Sequence, residues 1–234
     1  MKVEDEGLFL YSRVFGEKSK IIYILAKENG LIKGLSRSTK NKKNNLINFD
    51  KIKFTWSSRK KDALGYLDIE NQEPNPQKNY LFSIIKASAS ELCLKFLPPW
   101  EKNFAIYNSL LKLSDLSDYN DFLLIGRYVS WEIDFLRNIG YGLNIKFCSV
   151  SGVGNQTYFI SPKTGNAVSY KIGKKYSSKL FKIPLCMKDD FKKKFYDDYT
   201  DALKITGFFL SKVLDYQKKK FIFRDQIIAY LSKL

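Results

Sequence analysis

The residues of this chain with the clearest chemical purpose are cations. Lys33, Arg37, Lys40, Lys42, Lys43, Lys51, Lys53, Arg59, Lys60 and Lys61 fall in one 29-residue stretch whose only acid is Asp50. The stretch carries a net +9, more than half of the formal +16 of the 234-residue chain. Leu46, Ile47, Phe49, Ile52, Phe54 and Trp56 are threaded through it, which marks a folded surface rather than a disordered basic tail. Such a surface works by charge. It attracts a polyanion through phosphate contacts and releases the counterions held there. Lysine outnumbers arginine 34 to 6, so a genome biased against G and C accounts for part of the excess. It does not account for a run nearly free of acids.

Bond-making chemistry is poorly supplied. There is no histidine, which removes the commonest general base, the commonest metal ligand and every Ser-His or Cys-His nucleophile. Cys93, Cys148 and Cys186 form no Cys-x-x-Cys pair and no disulfide framework, so neither a structural zinc site nor an oxidising compartment is expected. A phosphate loop and a dinucleotide fingerprint are missing. Glu91, Glu101, Asp115, Asp118 and Asp121 make no nuclease-like cluster. The expectation is a protein that is not an enzyme and needs no cofactor or metal. No apolar run reaches the roughly 20 residues that span a bilayer, and Met1–Glu6 is acidic, unlike a signal peptide. A reduced, cytoplasmic protein without a membrane partner is expected.

The elements that must carry the cations are short strands. Leu8, Leu10 and Val14 begin one; Ile21–Leu25, Leu31–Leu35, Ile52–Trp56 and Leu64–Ile69 follow, with Asn29-Gly30 as a hairpin signal. Five strands in about 70 residues predict a small barrel of the oligonucleotide-binding (OB) type. Pro74 and Pro76 interrupt the pattern, and the apolar period then changes from two to 3.6. Helices are predicted over 81–96, 101–113 and 122–139, then over 176–183, 188–196, 199–216 and 224–234. Thr157 to Ser169 reads as two strands around a Pro-Lys-Thr-Gly turn, a hairpin inserted between helices. The fold class is therefore α+β: an OB-fold domain over residues 1–73, a linker over 74–79, and a helical domain over 80–234 with an insertion near 147–170. Lys192-Lys193-Lys194 and Lys218-Lys219-Lys220 are further basic runs, each read as a solvated face.

Around the hairpin the residues become specific. Asn138-Ile139-Gly140-Tyr141-Gly142-Leu143-Asn144-Ile145, then Cys148 and Gly152, then Tyr158-Phe159-Ile160-Ser161-Pro162-Lys163-Thr164-Gly165 through Ser169, resemble the bacterial DNA repair RecO family. Phe15-Gly16-Glu17-Lys18-Ser19, Glu28-Asn29-Gly30-Leu31, Trp56-Ser57-Ser58-Arg59 with Leu64-Gly65, Tyr176 to Pro184 and Arg224 resemble it in the expected order. The resemblance implies a non-enzymatic recombination mediator. Such proteins bind single- and double-stranded DNA, anneal complementary strands and, with RecR and in some members RecF, place RecA on strands coated by single-strand-binding protein (SSB). Some members carry a four-cysteine zinc ribbon where this chain keeps only Cys148, so a metal-free remnant is expected. Many engage the acidic SSB tail in the helical domain, for which Arg127 and Arg137 are candidates.

The DNA-contacting candidates are Arg13, Lys33, Arg37, Lys40, Lys42, Lys43, Arg59, Lys60 and Lys61. Trp56 and Phe54 alternate with Lys53 and Thr55, so this strand offers DNA one side at most; both are candidates for base stacking, and Trp56 is otherwise barrel core. Two other readings remain open: an RNA-binding OB protein, and a non-catalytic adaptor whose barrel docks a protein.

Overall fold

Alternation of apolar and polar residues builds the N-terminal part. In β4 (Lys51–Ser57) Ile52, Phe54 and Trp56 are buried while Lys51 and Lys53 are exposed, the period-two pattern of a strand with one core face. With β1 (Lys2–Val14), β2 (Ser19–Ala26), β3 (Gly30–Arg37) and β5 (Gly65–Glu73) it forms a closed barrel in the order β1-β2-β3-β5-β4. The computed structural model describes residues 1–37, 46–61, 63–76, 79–154, 156–188, 195–214 and 220–234. The acidic segment Lys2–Glu6 is the first half of β1 and pairs antiparallel with β4, so that strand starts well before the predicted Leu8.

Closure between β3 and β5 is narrow and parallel, made by Gly34↔Gly65 and Leu35↔Tyr66. The glycines are required there because the Trp56 indole lies against both. A Cβ on Gly65 would stand 2.3 Å from its ring, and one on Gly34 3.1 Å from it and 2.7 Å from the Leu67 Cβ. The indole N–H donates to the Lys33 carbonyl at 3.1 Å. Beyond this contact the β3 edge is covered by chain from further on. Leu31 bridges Pro99, the Trp100 N–H donates to the Leu31 carbonyl at 3.0 Å, and the Trp100 ring meets Trp56 edge-on at 4.5 Å.

α1 (Tyr80–Phe96) and α2 (Phe104–Ser114) belong to the same compact unit as the barrel, Met1–Asp118. Asn79 and Asn103 cap them, accepting from the backbone of Phe82 and Ile106. The proline segment before α1 is held by buried polar groups. Asp50 accepts from the Asn75 N–H at 2.7 Å, the Gln72 amide at 2.8 Å and the Ile47 N–H at 2.9 Å. Asn75 in turn accepts from the fully buried Lys86 at 2.6 Å, and Lys86 also donates to the Pro76 carbonyl at 3.1 Å.

The second unit, Tyr119–Leu234, pairs α3 (Asp121–Asn138) with α5 (Tyr196–Val213) and α6 (Ile222–Leu231). Asn120 caps α3, which ends at Gly140 with φ +88°. The core of this unit contains an ion pair: the Arg224 Nε donates to Glu132 at 2.9 Å, and the guanidinium also donates to the Leu203 carbonyl and Thr206. Gly207 leaves room for it, since a Cβ there would come within 2.5 Å of Arg224.

The expected hairpin is part of something larger. β7 (Thr157–Ile160) and β8 (Asn166–Ser169) pair around the Ser161–Gly165 turn, but β6 (Asn144–Cys148) and β9 (Phe181–Lys182) complete a four-stranded sheet, β6-β8-β7-β9. A lone hairpin is marginal in water, and the flanking chain supplies the missing edges. The helix predicted over 176–183 is thereby corrected. A short helix α4 (Tyr170–Gly173) and a 3-10 turn (Lys174–Lys179) lead into β9, because pairing with β7 draws Phe181 and Lys182 into extended backbone. Most of the helix predicted over 188–196 lies outside the described residues.

Candidate nucleic-acid interface

Register decides which cations share a face. Across β1, β2 and β3, Tyr11 stands opposite Tyr23 and Tyr23 opposite Lys33; Arg13 stands opposite Ile21 and Ile21 opposite Leu35; Ser19 stands opposite Arg37. Arg13, Lys33 and Arg37 are all exposed on this outer face. Tyr11 and Tyr23 have ring centroids 6.1 Å apart, and the Arg37 guanidinium lies 5.5 Å from the centre of the exposed Tyr66 ring. Phe15 extends the face at the β1–β2 hairpin, where Gly16 turns at φ +70°. Arg59, Lys60 and Lys61 occupy the β4–β5 turn; they are exposed, and the Lys61 ammonium lies 5.5 Å from the centre of the Trp100 ring. Among the described residues none of Arg13, Lys33, Arg37, Arg59, Lys60 and Lys61 has an ion pair. Lys40, Lys42 and Lys43 lie outside the described residues.

Other parts of the basic stretch point elsewhere. Lys53 stands opposite Glu6 and Lys51 opposite Glu73, so these two lysines belong to a mixed-charge face of β1, β4 and β5. Lys27 pairs with Glu6 at 2.6 Å there, and that hydrogen bond holds the Glu6 carboxyl below its ordinary range. Asp50, the one acid of the stretch, is fully buried beneath the surface. Trp56 and Phe54 are buried at 0% and 1% exposure, which corrects both as stacking platforms: their rings fill the barrel and have no face for a base. The aromatic residues that do face out with the arginines are Tyr11, Tyr23, Tyr66 and Phe15, none of them singled out by sequence. For Tyr11 alternation misleads, because a bulge between Phe9 and Tyr11 reverses the parity of β1.

Known proteins place this geometry. Residues 1–71 match the family described as Recombination protein O N terminal, and residues 79–220 match Recombination protein O C terminal. The chain belongs to the RecO family. It is 31% identical over 223 residues to the DNA repair protein RecO of Wolbachia pipientis from Culex pipiens, with 92% of each chain covered. It is 30% identical over 246 residues to that of Ehrlichia chaffeensis, with 99% of each covered, and 25% identical to that of Rickettsia typhi over 243 residues and the whole of both chains. RecO membership assigns the chain to DNA repair and recombination as a DNA-binding protein, and the barrel is the family's OB fold. No helix among the described residues is long and apolar enough to cross a membrane.

Two features expected of RecO proteins can be tested against geometry. Arg127 and Arg137 are both exposed on α3, and Arg137 is paired with Asp134 at 2.6 Å. Ten residues apart on an α-helix, they are separated by about 15 Å along the axis and about 80° around it, so they do not converge on one carboxylate. The zinc-ribbon position does not fit a metal. The Cys148 sulfur accepts from the Ser169 N–H at 3.3 Å, and the loop closes through Gly152 N–H to Cys148 O at 2.8 Å and Cys148 N–H to Val153 O at 3.0 Å. Hydrogen bonding from Ser151, outweighing burial, lowers the thiol to about 6. Among the described residues no three of the ligating types come together.

Proposed function

We propose that this RecO protein is a non-catalytic recombination mediator that holds single- and double-stranded DNA without sequence specificity on the outer face of β1, β2 and β3. The observation that carries this reading is the set Arg13, Lys33 and Arg37, exposed and unpaired among the described residues, interleaved with Tyr11, Tyr23 and Tyr66. Guanidinium and ammonium groups neutralise phosphates, and the tyrosine faces stack bases of any sequence, each stack being worth about 1–3 kcal/mol. Flat rings and long cations make no base-edge readout, so affinity tracks charge and salt. Neutralising two backbones together lowers their mutual repulsion, and annealing of complementary strands follows without a chemical step.

Family resemblance supports the remaining assignments. The protein acts with RecR, and in some members RecF, on SSB-coated DNA to favour RecA loading in the cytoplasm, at the nucleoid. The acidic SSB tail is met in the helical part, where Arg127 is a better candidate than the ion-paired Arg137. The test is a strand-annealing assay on SSB-coated complementary oligonucleotides. The full chain accelerates annealing, and added RecR permits RecA filament growth. Annealing at the spontaneous rate at low salt, or a preference for RNA over DNA, overturns the reading.

A further inference from the structure

The largest acid-free run of the chain is not in the barrel. From Phe135 to Lys188 there is no Asp or Glu in 54 residues, while Arg137 and eight lysines lie within them. Fold then gathers the second half of this run onto one part of the second unit. Lys171, Lys174, Lys175, Lys179 and Lys182 are exposed, and none of them has an ion pair among the described residues. The ammonium groups of Lys182 and Lys188 lie 5.6 and 5.8 Å from the centre of one ring, Tyr158. Tyr158 meets Tyr170 edge-on at 5.0 Å, and Lys174 lies 5.8 Å from the centre of the half-exposed Tyr170 ring. Lys188 is anchored by donating to the Thr157 carbonyl at 2.6 Å, so this cation is positioned rather than trailing in solvent. Among the described residues, the carboxylate hydrogen-bonded to this segment is Asp198, which accepts from the Leu185 N–H at 3.3 Å.

We propose that this surface, centred on Tyr158 and Tyr170 with Lys174, Lys182 and Lys188, is a second binding site for single-stranded nucleic acid. Several ammonium groups held around two tyrosine rings, with no ion-paired carboxylate among the described residues, match a ligand that alternates phosphates with flat bases. Burial, and then the neighbouring charge of Lys182, lower the Lys188 pKa. An acidic peptide would share the charges, but it has no use for two ring faces and would need an apolar pocket or a free strand edge. Two sites on one molecule let a single protein hold both partners of an annealing reaction. This inference deepens the nucleic-acid reading of the barrel and borrows from it the identity of the ligand.

The test is the stoichiometry of a labelled oligothymidylate of about 10 nucleotides, within the usual span of one binding platform, on the full-length protein. Wild type takes two oligonucleotides per chain. Y170S/K174Q/K182Q takes one, with affinity for the second weakened about tenfold or more, the equivalent of a lost base stack. R13S/K33S/R37S likewise takes one, and the combined variant none. If the barrel variant still takes two while Y170S/K174Q/K182Q takes one, the barrel reading fails and this site stands. If wild type takes one and Y170S/K174Q/K182Q binds it unchanged, this site is refuted. Loss of poly-glutamate binding by that variant without loss of oligonucleotide assigns the surface to a protein partner and refutes it as well. Should the triple variant fold poorly, photo-cross-linking of 5-iododeoxyuridine oligonucleotides to wild type decides: adducts within residues 157–188 support the site, and adducts confined to residues 1–118 overturn it.

Discussion

Substituting Arg13, Lys33 and Arg37 together by serine separates a charged surface from a charged sequence. Strands lie about 4.8 Å apart and rise about 3.3 Å per residue, so the three groups span a patch of about 10 by 13 Å. That is wide enough for each to meet a different phosphate. Each phosphate contact on a single strand contributes about 0.7 to the slope of log affinity against log salt, so losing three flattens the slope by about 2. Between 50 and 200 mM salt, wild type then loses about 20-fold more affinity than the variant. The control is K51S/K53S, which removes two cations from the same basic stretch of sequence, but from strand positions opposite Glu73 and Glu6. Fluorescence anisotropy with labelled oligothymidylate at four salt concentrations measures both. Equal flattening by the two variants would refute the assignment of the interface to one face. An unchanged slope in R13S/K33S/R37S would remove β1–β3 from the site altogether.

Stability measurements probe the elements that hold the site. Gly65→Ala drives a methyl to within 2.3 Å of the Trp56 ring and should cost about 1–3 kcal/mol in urea melts, with a loss of near-UV tryptophan dichroism; an unaffected melt would mean the barrel closes otherwise. Glu132→Gln leaves the buried Arg224 guanidinium without its countercharge and should cost about 3–5 kcal/mol, whereas E132M/R224M should cost less than the single change. Lys86 gives a pH signature. Burial lowers its pKa from 10.5 to about 8, so between these values the unfolded chain binds the proton that the folded chain has lost. Wild type should therefore gain up to about 3 kcal/mol relative to Lys86→Met as pH rises from 8 to 10.5; a constant difference would place Lys86 in water.

The elements were legible where one physical signal ruled them. Short apolar runs bounded by turn signals marked all five barrel strands, and 3.6-residue periodicity placed α1, α2 and α3 within a few residues of their ends. Pairing across distance was not legible. Leu180 to Lys182 carries nothing local that forbids a helix, and only the exposed edge of β7 makes it a strand. The polar tie between α1 and the barrel runs through Asp50, Asn75 and Lys86, three residues spread over 37 positions whose hydrogen bonds no window could anticipate.

Charge was legible as a quantity and not as a direction. In a strand, successive side chains face opposite sides, and in a closed barrel the partner strand decides what each outward cation meets. Lys33 and Lys53 look alike in sequence, yet Lys33 stands opposite Tyr23 and Lys53 opposite Glu6. Cross-strand pairing therefore turns one basic stretch into two surfaces, of which only the first sets its cations beside tyrosines and not opposite carboxylates. The same rule makes Asp50 misleading as a local counter-charge: fully buried and bound to Asn75 and Gln72, it positions the chain beneath the surface and neutralises nothing on it. A count of charges along the chain measures the strength of the long-range field. The place where a phosphate is held follows from register.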